Sequence, residues 1–349
     1  MKALVALVLA LAASATAAAA PQAGARPSPD QKFTYTNTAM GTVVSVFIWT
    51  DDAQKAQKGA DAVFAEMKRL DGVMTTWTPD SEVSRVNSAA GDKPVVVSDE
   101  TYAVIARAVD VSKRSKGIFD ITVGAFKGLW KFDQDMDYTL PDPADVKKRL
   151  ANIGWKHLKL DPKAKTVFLD KKGMSITLGG IAKGYAVDKC VEILHKEGFV
   201  NFMVQAGGDM YVAGKKDADP WVVGIRDPRG PDGSMFALAP IEDHSFSTSG
   251  DYERGFVKDG VRYHHILDPR TGQPAHASRS VTVRAKDAFT ADAWSKVLFI
   301  LGWKESLALL KREKLSDFEV VWVDQANTVH MTKGIEGALK VVKPPTPGP

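Results

Sequence analysis

The stretch TLGGIAKGYAVD at residues 177–188 places two glycines between a strand-like run and a helix-like run. Because Gly179 and Gly180 carry no side chain, a ligand can approach the backbone closely here. The following helix would point its N-terminal amide groups at that ligand, which favours a phosphate. Lys183 adds a cation in the first helical turn, where the helix dipole disfavours one. The stretch lacks the glycine spacing of a P-loop or a dinucleotide fold. It therefore fits a phosphate site and an ordinary strand-to-helix turn about equally.

Strand-like and helix-like segments alternate on both sides of this turn. Period-two and β-branched runs predict strands at residues 42–49, 166–169, 174–178, 201–205, 221–226, 234–239, 281–285 and 318–323. Helical spacing of apolar residues predicts helices at 53–71, 98–116, 144–153, 182–197, 288–301 and 304–313. Hairpin-like strands mixed with separate helices predict an α+β, or mixed α/β, protein rather than one regular doubly wound sheet.

The composition is that of a globular protein. The chain has 349 residues, of which 44% are hydrophobic and 25% are charged, and these values exclude a disordered, collagen-like or coiled-coil chain. At roughly 150 residues per domain, this length suggests about two domains. The formal net charge is only +4, so we expect no nucleic-acid partner. Cys190 is the single cysteine, which excludes an intrachain disulfide and a cysteine metal cluster.

The first residues have the features of a secretory signal peptide. Residues 1–20 contain Lys2, an apolar run from Ala3 to Ala13, and small residues before a cleavage point. This run is shorter than the ~20 residues that a membrane span needs, and an uncleaved anchor is the alternative. No cysteine follows it, so attachment of a lipid to a new N-terminal cysteine is excluded. We expect a linker at 21–32, no membrane span after signal removal, and a periplasmic location if the source is Gram-negative.

Two histidines and two aspartates are further candidates for chemistry. His264 and His265 precede the tight turn DPRTG at 268–272, which would hold an imidazole still. Asp120 and Asp292 stand in apolar runs, where a carboxylate is costly to bury unless it is paired or bound to a metal. Each aspartate could instead cap a helix or form a salt bridge. The absence of an H-E-x-x-H pattern argues against a zinc protease.

Eight segments, taken together, are far more specific than any one of them. In chain order they are MGTVVSV (40–46), MTTWTPDSEVSRVN (74–87), GIFDITVGAF (117–126), TLGGIAKGYAVD (177–188), QAGGDMYVAG (205–214), STSGDYER (247–254), HHILDPRTGQPA (264–275) and TADAWSKVLFILG (290–302). Their order resembles that of the FAD:protein FMN transferases, also called the ApbE family, over about residues 33–330. The resemblance implies a domain at 33–335 whose two lobes, each with mixed sheets, hold a flavin in the cleft between them. A C-terminal tail at 336–349 would follow.

The resemblance implies an enzyme that transfers FMN from FAD to a Thr or Ser hydroxyl of an exported target protein. The reaction forms a phosphoester and releases AMP, and Mg²⁺ assists it. The target would carry the motif D-x-x-[ST]-[AG]-A-[ST]. Two alternatives stay open: an FAD-binding protein without transfer activity, and a Mg²⁺-dependent FAD pyrophosphatase that uses water in place of the target hydroxyl.

For residues that match the family's motifs, the resemblance implies specific roles. His265 would take the proton from the target hydroxyl, because an imidazole titrates near neutral pH, and Lys183 would lie near the phosphates. Gly180 would offer a carbonyl and Asp292 a carboxylate to Mg²⁺, which prefers oxygen ligands, and Ser295 could contribute. The positions that match the flavin and adenine site are Met40, Trp77, Ile118, Phe119, Asp120, Thr177, Lys183 and Ile266.

Three positions depart from the family pattern. Trp77 stands where the family usually has Tyr, and Thr177 where it usually has Asp. Lys296 stands at the metal-binding position itself, where the family has a threonine whose hydroxyl is a metal ligand. Two unit charges of like sign ~4 Å apart repel by about 4 kcal/mol at an effective dielectric of 20, so an ammonium conflicts with tight Mg²⁺ binding. Lys296 could turn to solvent and leave a weaker metal site. It could instead replace the metal at the pyrophosphate, or the protein could bind FAD without catalysis.

Overall fold

A computed structural model of the chain describes residues 31–132, 135–216, 218–315 and 317–348. The signal peptide predicted at 1–20 and most of the linker predicted at 21–32 lie outside the described residues. Within those residues, no helix is both long enough and apolar enough to cross a lipid bilayer.

The described chain contains strands and helices in alternating groups. The strands are β1 (Gln31–Ala39), β2 (Thr42–Thr50), β3 (Val95–Val96), β4 (Leu158–Asp161), β5 (Thr166–Leu169), β6 (Phe202–Ala206), β7 (Asp209–Ala213), β8 (Lys215–Lys216), β9 (Asp219–Arg226), β10 (Met235–Ile241), β11 (His244–Gly250), β12 (Gly255–Lys258), β13 (Val261–His264), β14 (Ser278–Ala285), β15 (Glu319–Asp324), β16 (Val329–Met331) and β17 (Lys340–Val341). The helices are α1 (Ala53–Met74), α2 (Glu82–Ser88), α3 (Asp99–Arg114), α4 (Pro143–Leu150), α5 (Ala182–Lys196), α6 (Ala288–Arg312) and α7 (Lys333–Glu336).

Antiparallel pairing organises these strands into four sheets. The largest has eight strands in the order β1-β2-β6-β7-β11-β14-β15-β16. A second sheet has the order β17-β10-β9-β8, a third has the order β3-β5-β4, and β12 and β13 form a hairpin. Helices and several sheets in one chain confirm the mixed α/β prediction.

The eight-stranded sheet lies between a layer of helices and the sheet that contains β9 and β10. Strand β2 shows how the sequence specifies this, because successive side chains of a strand point to opposite faces. Val44, Val46 and Ile48 join the main hydrophobic cluster with α1, α5 and α6. Phe47 and Trp49 pack on the other face, against the second cluster around β9 and β10. Each fully buried side chain of this size contributes roughly 1.5–3 kcal/mol.

Helix boundaries agree well with local sequence signals. The Ser98 side chain caps α3 by accepting a 3.2 Å hydrogen bond from the Thr101 amide. The two helices predicted at 288–301 and 304–313 form the two arms of α6, which is interrupted at Gly302 with φ +72°. A Cβ atom at Gly302 would lie 3.0 Å from the Ala277 side chain. The interruption therefore requires glycine for both its backbone angle and its close packing.

The strand predicted at 174–178 is wrong. This segment pairs with no strand, and several of its backbone groups have other partners. The Asn87 side chain donates to the Ile176 carbonyl at 2.9 Å and accepts from the Ile176 amide at 2.7 Å. The Thr177 amide donates to the Ile121 carbonyl at 2.9 Å. A side chain distant in sequence thus takes the place of a neighbouring strand, which no local pattern reveals.

The chain near the C-terminus is docked on the fold, whereas the sequence suggested an extended tail with no core. Strand β17 lies inside the tail predicted at 336–349 and pairs with β10. The Thr346 hydroxyl donates to Asp227 at 2.7 Å, and Pro345 is buried. At the other end, β1 begins at Gln31, inside the predicted linker. The two expected lobes share the main hydrophobic cluster, which runs from the large sheet to β5.

Candidate functional site

Four charged side chains from α5, β7 and α6 meet beside the N-terminal end of α5. The Lys183 Nζ lies 3.1 Å from Asp209 Oδ2 and 4.0 Å from Asp292 Oδ2. The Lys296 ammonium forms an ion pair with Asp292 Oδ1, one helical turn away on α6. Both carboxylates are buried. We call Lys183, Asp209, Asp292 and Lys296 the charged cluster.

The close approach of α5 to α6 forms this cluster. A Cβ atom at Gly184 would lie 2.3 Å from the Ala288 carbonyl oxygen and 2.7 Å from Asp292 Cβ, so only glycine allows the contact. The Gly184 amide donates to Asp292 Oδ2 at 2.9 Å. In return, Asp188 of α5 accepts the Ala288 and Phe289 amides at 2.7 and 3.0 Å. Each helix thus satisfies backbone amide groups at the start of the other, which fixes where Asp292 lies.

Neighbouring charges set the protonation of the cluster. Burial alone would raise the pKa of Asp209, but Lys183 and Lys296 lower it below its ordinary value. The Ser247 hydroxyl of β11 donates to Asp209 and acts in the same direction. Burial lowers the pKa of Lys296 below its ordinary value, with Asp209 opposing that effect and Lys183 adding to it, and the ion pair with Asp292 holds the proton on the amine. The cluster is therefore internally paired, with two carboxylates and two amines.

His265 follows β13 and is exposed, whereas His264 is buried. The His264 Nε2 donates to the Ala275 carbonyl at 2.8 Å, and its Nδ1 accepts the Ile266 amide at 3.3 Å. Burial lowers the pKa of His264 to about 4, so this ring is neutral and structural. The His265 Nδ1 lies 3.3 Å from the Arg254 carbonyl oxygen, which can only accept. Nδ1 therefore carries the proton, and Nε2 is the basic nitrogen.

Cationic neighbours also act on His265. Although its ring reaches solvent, desolvation by the protein around it lowers its pKa below the ordinary value, and the Arg254 and Lys183 cations add to this effect. The Arg254 guanidinium donates to the Gly41 carbonyl at 3.3 Å, which links the turn after Met40 to the histidine segment. A neutral imidazole is the form that can accept a proton.

The turn after His265 is rigid, as its sequence predicted. The Thr271 and Gly272 amides donate to the Asp268 carbonyl at 3.2 and 2.8 Å. The Asp268 carboxylate pairs with the Arg270 guanidinium at 2.7 Å. Gly272 has φ +71°, and the indole of Trp130 donates to its carbonyl at 2.8 Å. These contacts hold the backbone that carries the imidazole.

Several residues expected to bind the cofactor lie inside the fold. Ile118, Phe119 and Ile266 belong to the main hydrophobic cluster, and the Phe119 ring lies 3.3 Å from where a Cβ of Gly180 would stand. Asp120 caps the 3-10 helix at 121–126, since it accepts the Thr122 and Trp155 amides at 2.9 and 2.7 Å. Burial raises the pKa of Asp120 against the effect of these hydrogen bonds. Flavin contact by these residues stays a prediction.

Met40, Trp77 and Thr177 lie at turns. Met40 has φ +53°, and its amide donates to Asp71 Oδ2 at 3.0 Å. The Trp77 side chain is 64% exposed, with the Lys127 Nζ 4.6 Å from its ring centroid. The Thr177 hydroxyl accepts the Gly179 amide at 3.3 Å and so shapes the start of the glycine turn. An exposed indole has a free face for a flat heterocycle, but stacking on a ligand stays a prediction.

Comparison with known proteins places this arrangement in a family. The ApbE family model matches residues 40–322. The FAD:protein FMN transferase of Treponema pallidum (strain Nichols) is 32% identical over 328 residues, which cover 89% of this chain and 90% of that protein. This chain belongs to the ApbE family. A FAD:protein FMN transferase of Klebsiella pneumoniae (strain 342) is 31% identical over 297 residues, which cover 85% of this chain and 90% of that protein.

Solved structures agree with the ApbE assignment. The crystal structure of the ApbE protein from Thermotoga maritima superposes with a TM-score of 0.80 at 34% identity. The match covers 88% of this chain and 99% of that one. The flavin transferase ApbE from Vibrio cholerae gives 0.78 at 27% identity and covers 89% of this chain and all of that one.

The side chains that the sequence predicts to hold Mg²⁺ are already engaged with other groups of this chain. Asp292 has one oxygen on Lys296 and the other on the Gly184 amide. The Ser295 hydroxyl donates to the Asp292 carbonyl at 2.8 Å and lies 2.7 Å from the Ser249 hydroxyl. Among the described residues, no group of three or more His, Cys, Asp or Glu side chains could hold a metal ion. Because the Asp292 oxygens and the Ser295 hydroxyl already have partners, these side chains do not fit Mg²⁺, and we derive no step through a metal.

The Lys296 side chain turns inward and is 15% exposed. Lys296 therefore does not face solvent in this structure, which was one of the three arrangements that the sequence left open. Its i,i+4 spacing from Asp292 on α6 places both side chains on one face of the helix. The ion pair with the buried carboxylate then holds the ammonium inside.

Sequence reasoning missed Asp209 and Ser247. Both lie in recognised segments, at 205–214 and 247–254, but neither residue received a role. Strands β7 and β11 pair antiparallel and place Asp209 directly opposite Ser247. A carboxylate at the head of the otherwise apolar run MYVA was the available signal.

Proposed function

We propose that this ApbE-family chain transfers FMN from FAD to a Thr or Ser hydroxyl of a target protein. The observation that carries the proposal is the exposed imidazole of His265, whose Nδ1 lies on the Arg254 carbonyl oxygen so that Nε2 can accept a proton. The half-buried Lys183 ammonium of the charged cluster is among the cations that lower its pKa. A proton acceptor beside a cationic cluster is what attack on a phosphate requires. Curated relatives with the name FAD:protein FMN transferase support the same reaction.

The proposed step balances as a phosphoryl transfer. The His265 Nε2 accepts the proton of the target hydroxyl, and the hydroxyl oxygen forms a bond to the FMN phosphorus of FAD. The bond from that phosphorus to the bridging oxygen breaks, and AMP leaves with the oxygen. Lys183 offers positive charge to the phosphate oxygens, which lowers the cost of bringing a nucleophile to an anion.

The target and the location are part of this proposal. The resemblance supports a target with the motif D-x-x-[ST]-[AG]-A-[ST]. The leader-like residues 1–20 support export of the chain, to the periplasm in a Gram-negative source. Magnesium was expected from the resemblance, and the site above does not supply its ligands.

Intact-mass analysis tests the proposal. The mature chain is incubated with FAD and an exported protein that carries the motif, and a matched target with Ala at the acceptor position is the control. Transfer requires a mass gain of one FMN phosphoryl group on the first target only, with an equal amount of AMP. Conversion of FAD to FMN and AMP without that gain would indicate a pyrophosphatase. Bound, unchanged FAD would indicate a binding protein on this fold.

A further inference from the structure

Two lysines of the same chain balance the negative charge of Asp292. Its carboxylate is fully buried, and the Lys296 ammonium lies on one of its oxygens. The other oxygen accepts the Gly184 amide at 2.9 Å and lies 4.0 Å from the Lys183 Nζ. A divalent cation that bound this carboxylate would have to displace one ammonium and sit beside another. The carboxylate therefore already has the cation that its burial requires.

Two departures from the family pattern together change the charge of the site by the same amount as one bound Mg²⁺ ion would. Thr177 removes one negative charge where the family usually has Asp, and Lys296 adds one positive charge where the family has Thr. The change is +1 and +1, or +2 together, which equals the charge of one Mg²⁺ ion. Thr177 shapes the glycine turn that leads into α5, and Lys296 pairs with Asp292, which accepts an amide from the first turn of α5. One substitution alone would not compensate for a missing divalent cation.

A lysine ammonium can neutralise phosphate oxygens in place of a divalent cation. It carries three N–H donors on a flexible stem and binds phosphate oxygens as a point charge. When an anion enters, Lys296 can keep one N–H donor on Asp292 and point the others towards the anion, because an ammonium has three donors. The Asp292 carboxylate still keeps the Gly184 amide as a partner.

We propose that Lys296 replaces the divalent cation in this chain, so that Lys183 and Lys296 together neutralise the diphosphate of FAD without a metal. This inference rests on the proposed function only for the identity of the anion. Its consequence is that neither FAD binding nor transfer depends on Mg²⁺.

The first test measures FAD affinity of the mature wild-type chain by flavin fluorescence, with excess chelator and with Mg²⁺. The two dissociation constants should agree within about twofold, well inside the tenfold change that 1.4 kcal/mol produces. A second readout titrates Mn²⁺ into the FAD-loaded chain and follows the free ion by electron paramagnetic resonance. We expect no stoichiometric Mn²⁺ site. Binding of FAD that needs Mg²⁺, or a stoichiometric Mn²⁺ site, overturns the inference.

Variants at Lys296 test the ammonium itself. Lys296→Thr should weaken FAD binding in chelator by roughly ten- to a hundredfold, the cost of losing a charge-assisted hydrogen bond. Adding Thr177→Asp to it should make Mg²⁺ restore part of that affinity. Lys311→Met removes an exposed lysine of the same helix and should change nothing. Unchanged FAD affinity of Lys296→Thr in chelator would refute the role of the ammonium, and the wild-type readouts decide the question if a variant does not fold.

The outcomes separate this inference from the proposed transfer. If FAD binds equally with chelator and with Mg²⁺ but no transfer occurs, the inference is supported and the transferase proposal is refuted. Transfer that occurs only with Mg²⁺ supports the transferase and removes the inference. Absence of FAD binding under both conditions refutes the inference and the proposed transfer.

Discussion

His264 and His265 are adjacent in the chain, yet their surroundings assign them different chemistry. The backbone alternates, so one ring points into the core and the other points out. The inner ring uses both nitrogens for backbone hydrogen bonds. The outer ring has Nδ1 on the Arg254 carbonyl oxygen, and under the proposed function its Nε2 accepts the substrate proton.

Substitution of each histidine should therefore affect a different property. His265→Ala should reduce kcat for transfer by roughly 10²–10⁴-fold, the usual contribution of a general base, and leave the melting temperature unchanged. His264→Ala leaves buried backbone groups unsatisfied and should lower the free energy of unfolding by about 1–3 kcal/mol. Intact-mass kinetics and thermal unfolding of both variants check this. Similar effects of the two variants on both measurements would contradict the assignment.

The pH dependence of transfer gives a second prediction at this scale. The pKa of His265 lies below its ordinary value of about 6.5. The neutral form predominates above the pKa, so the base remains available as the pH falls past 6.5. We expect the acid limb of kcat/KM to lie below pH 6.5, and to disappear in the residual activity of His265→Ala. An acid limb at or above pH 6.5 would show that another group titrates.

At the scale of elements, the contact between α5 and α6 determines the charged cluster. The first turn of α5 carries Lys183, and the first arm of α6 carries Asp292 and Lys296. Gly184 allows the two helices to approach so closely that an α5 amide reaches a carboxylate of α6. The distance between helices, rather than the composition of either, therefore sets the ion pairs.

Gly184→Ala tests this packing. The added Cβ would stand 2.3 Å from the Ala288 carbonyl oxygen, so the helices must separate. We expect a loss of about 1–3 kcal/mol in the free energy of unfolding, the usual cost of overpacking, together with weaker FAD binding. The matched control for stability is Gly179→Ala in the glycine turn that precedes α5, where the nearest atom lies 3.5 Å away and the fold has room. Urea unfolding of both variants checks this, and equal stability would refute it.

At the scale of the whole molecule, the two faces of the eight-stranded sheet have different tasks. One face packs against α5 and α6, which carry the charged cluster, and its central strands β7 and β11 supply Asp209 and Ser247. The opposite face packs on β9 and β10 and receives the C-terminal chain. Substitutions on the face that packs on β9 and β10 should therefore change stability without changing the charged cluster on the opposite face.

Removal of residues 340–349 tests that separation. It deletes β17 and leaves the buried carboxylate of Asp227 without its contacts to Thr346 and Lys343. We expect about 1–3 kcal/mol less stability, the cost of unsatisfied buried polar groups, and an unchanged FAD dissociation constant. Thr346→Val is the milder matched variant, since it removes only the hydroxyl contact. Full stability of the truncated chain, or weakened FAD binding, would contradict this division.

The sequence by itself determined most elements and the family. Helix caps such as Ser98 and the hydrogen bonds within the turn at 268–272 depend on contacts within a few residues, so local patterns predict them. The break at Gly302 is also predicted locally, by a glycine between two helical patterns, although its packing on Ala277 is not. Eight motifs in one order predicted the ApbE family, and the comparisons confirmed it. Candidate residues His265, Lys183 and Asp292 could be named because their segments are distinctive.

Only the tertiary structure decided which side chains of the site contact one another. The Asp209–Ser247 pair depends on the register of two strands, and the segment at 174–178 depends on Asn87, nearly ninety positions earlier. Lys296 could have faced solvent, and the sequence left that open. Its side chain lies inward because α5, β7 and α6 together bury two carboxylates that need a cation. Such burial is a property of packed elements, and no single segment encodes it.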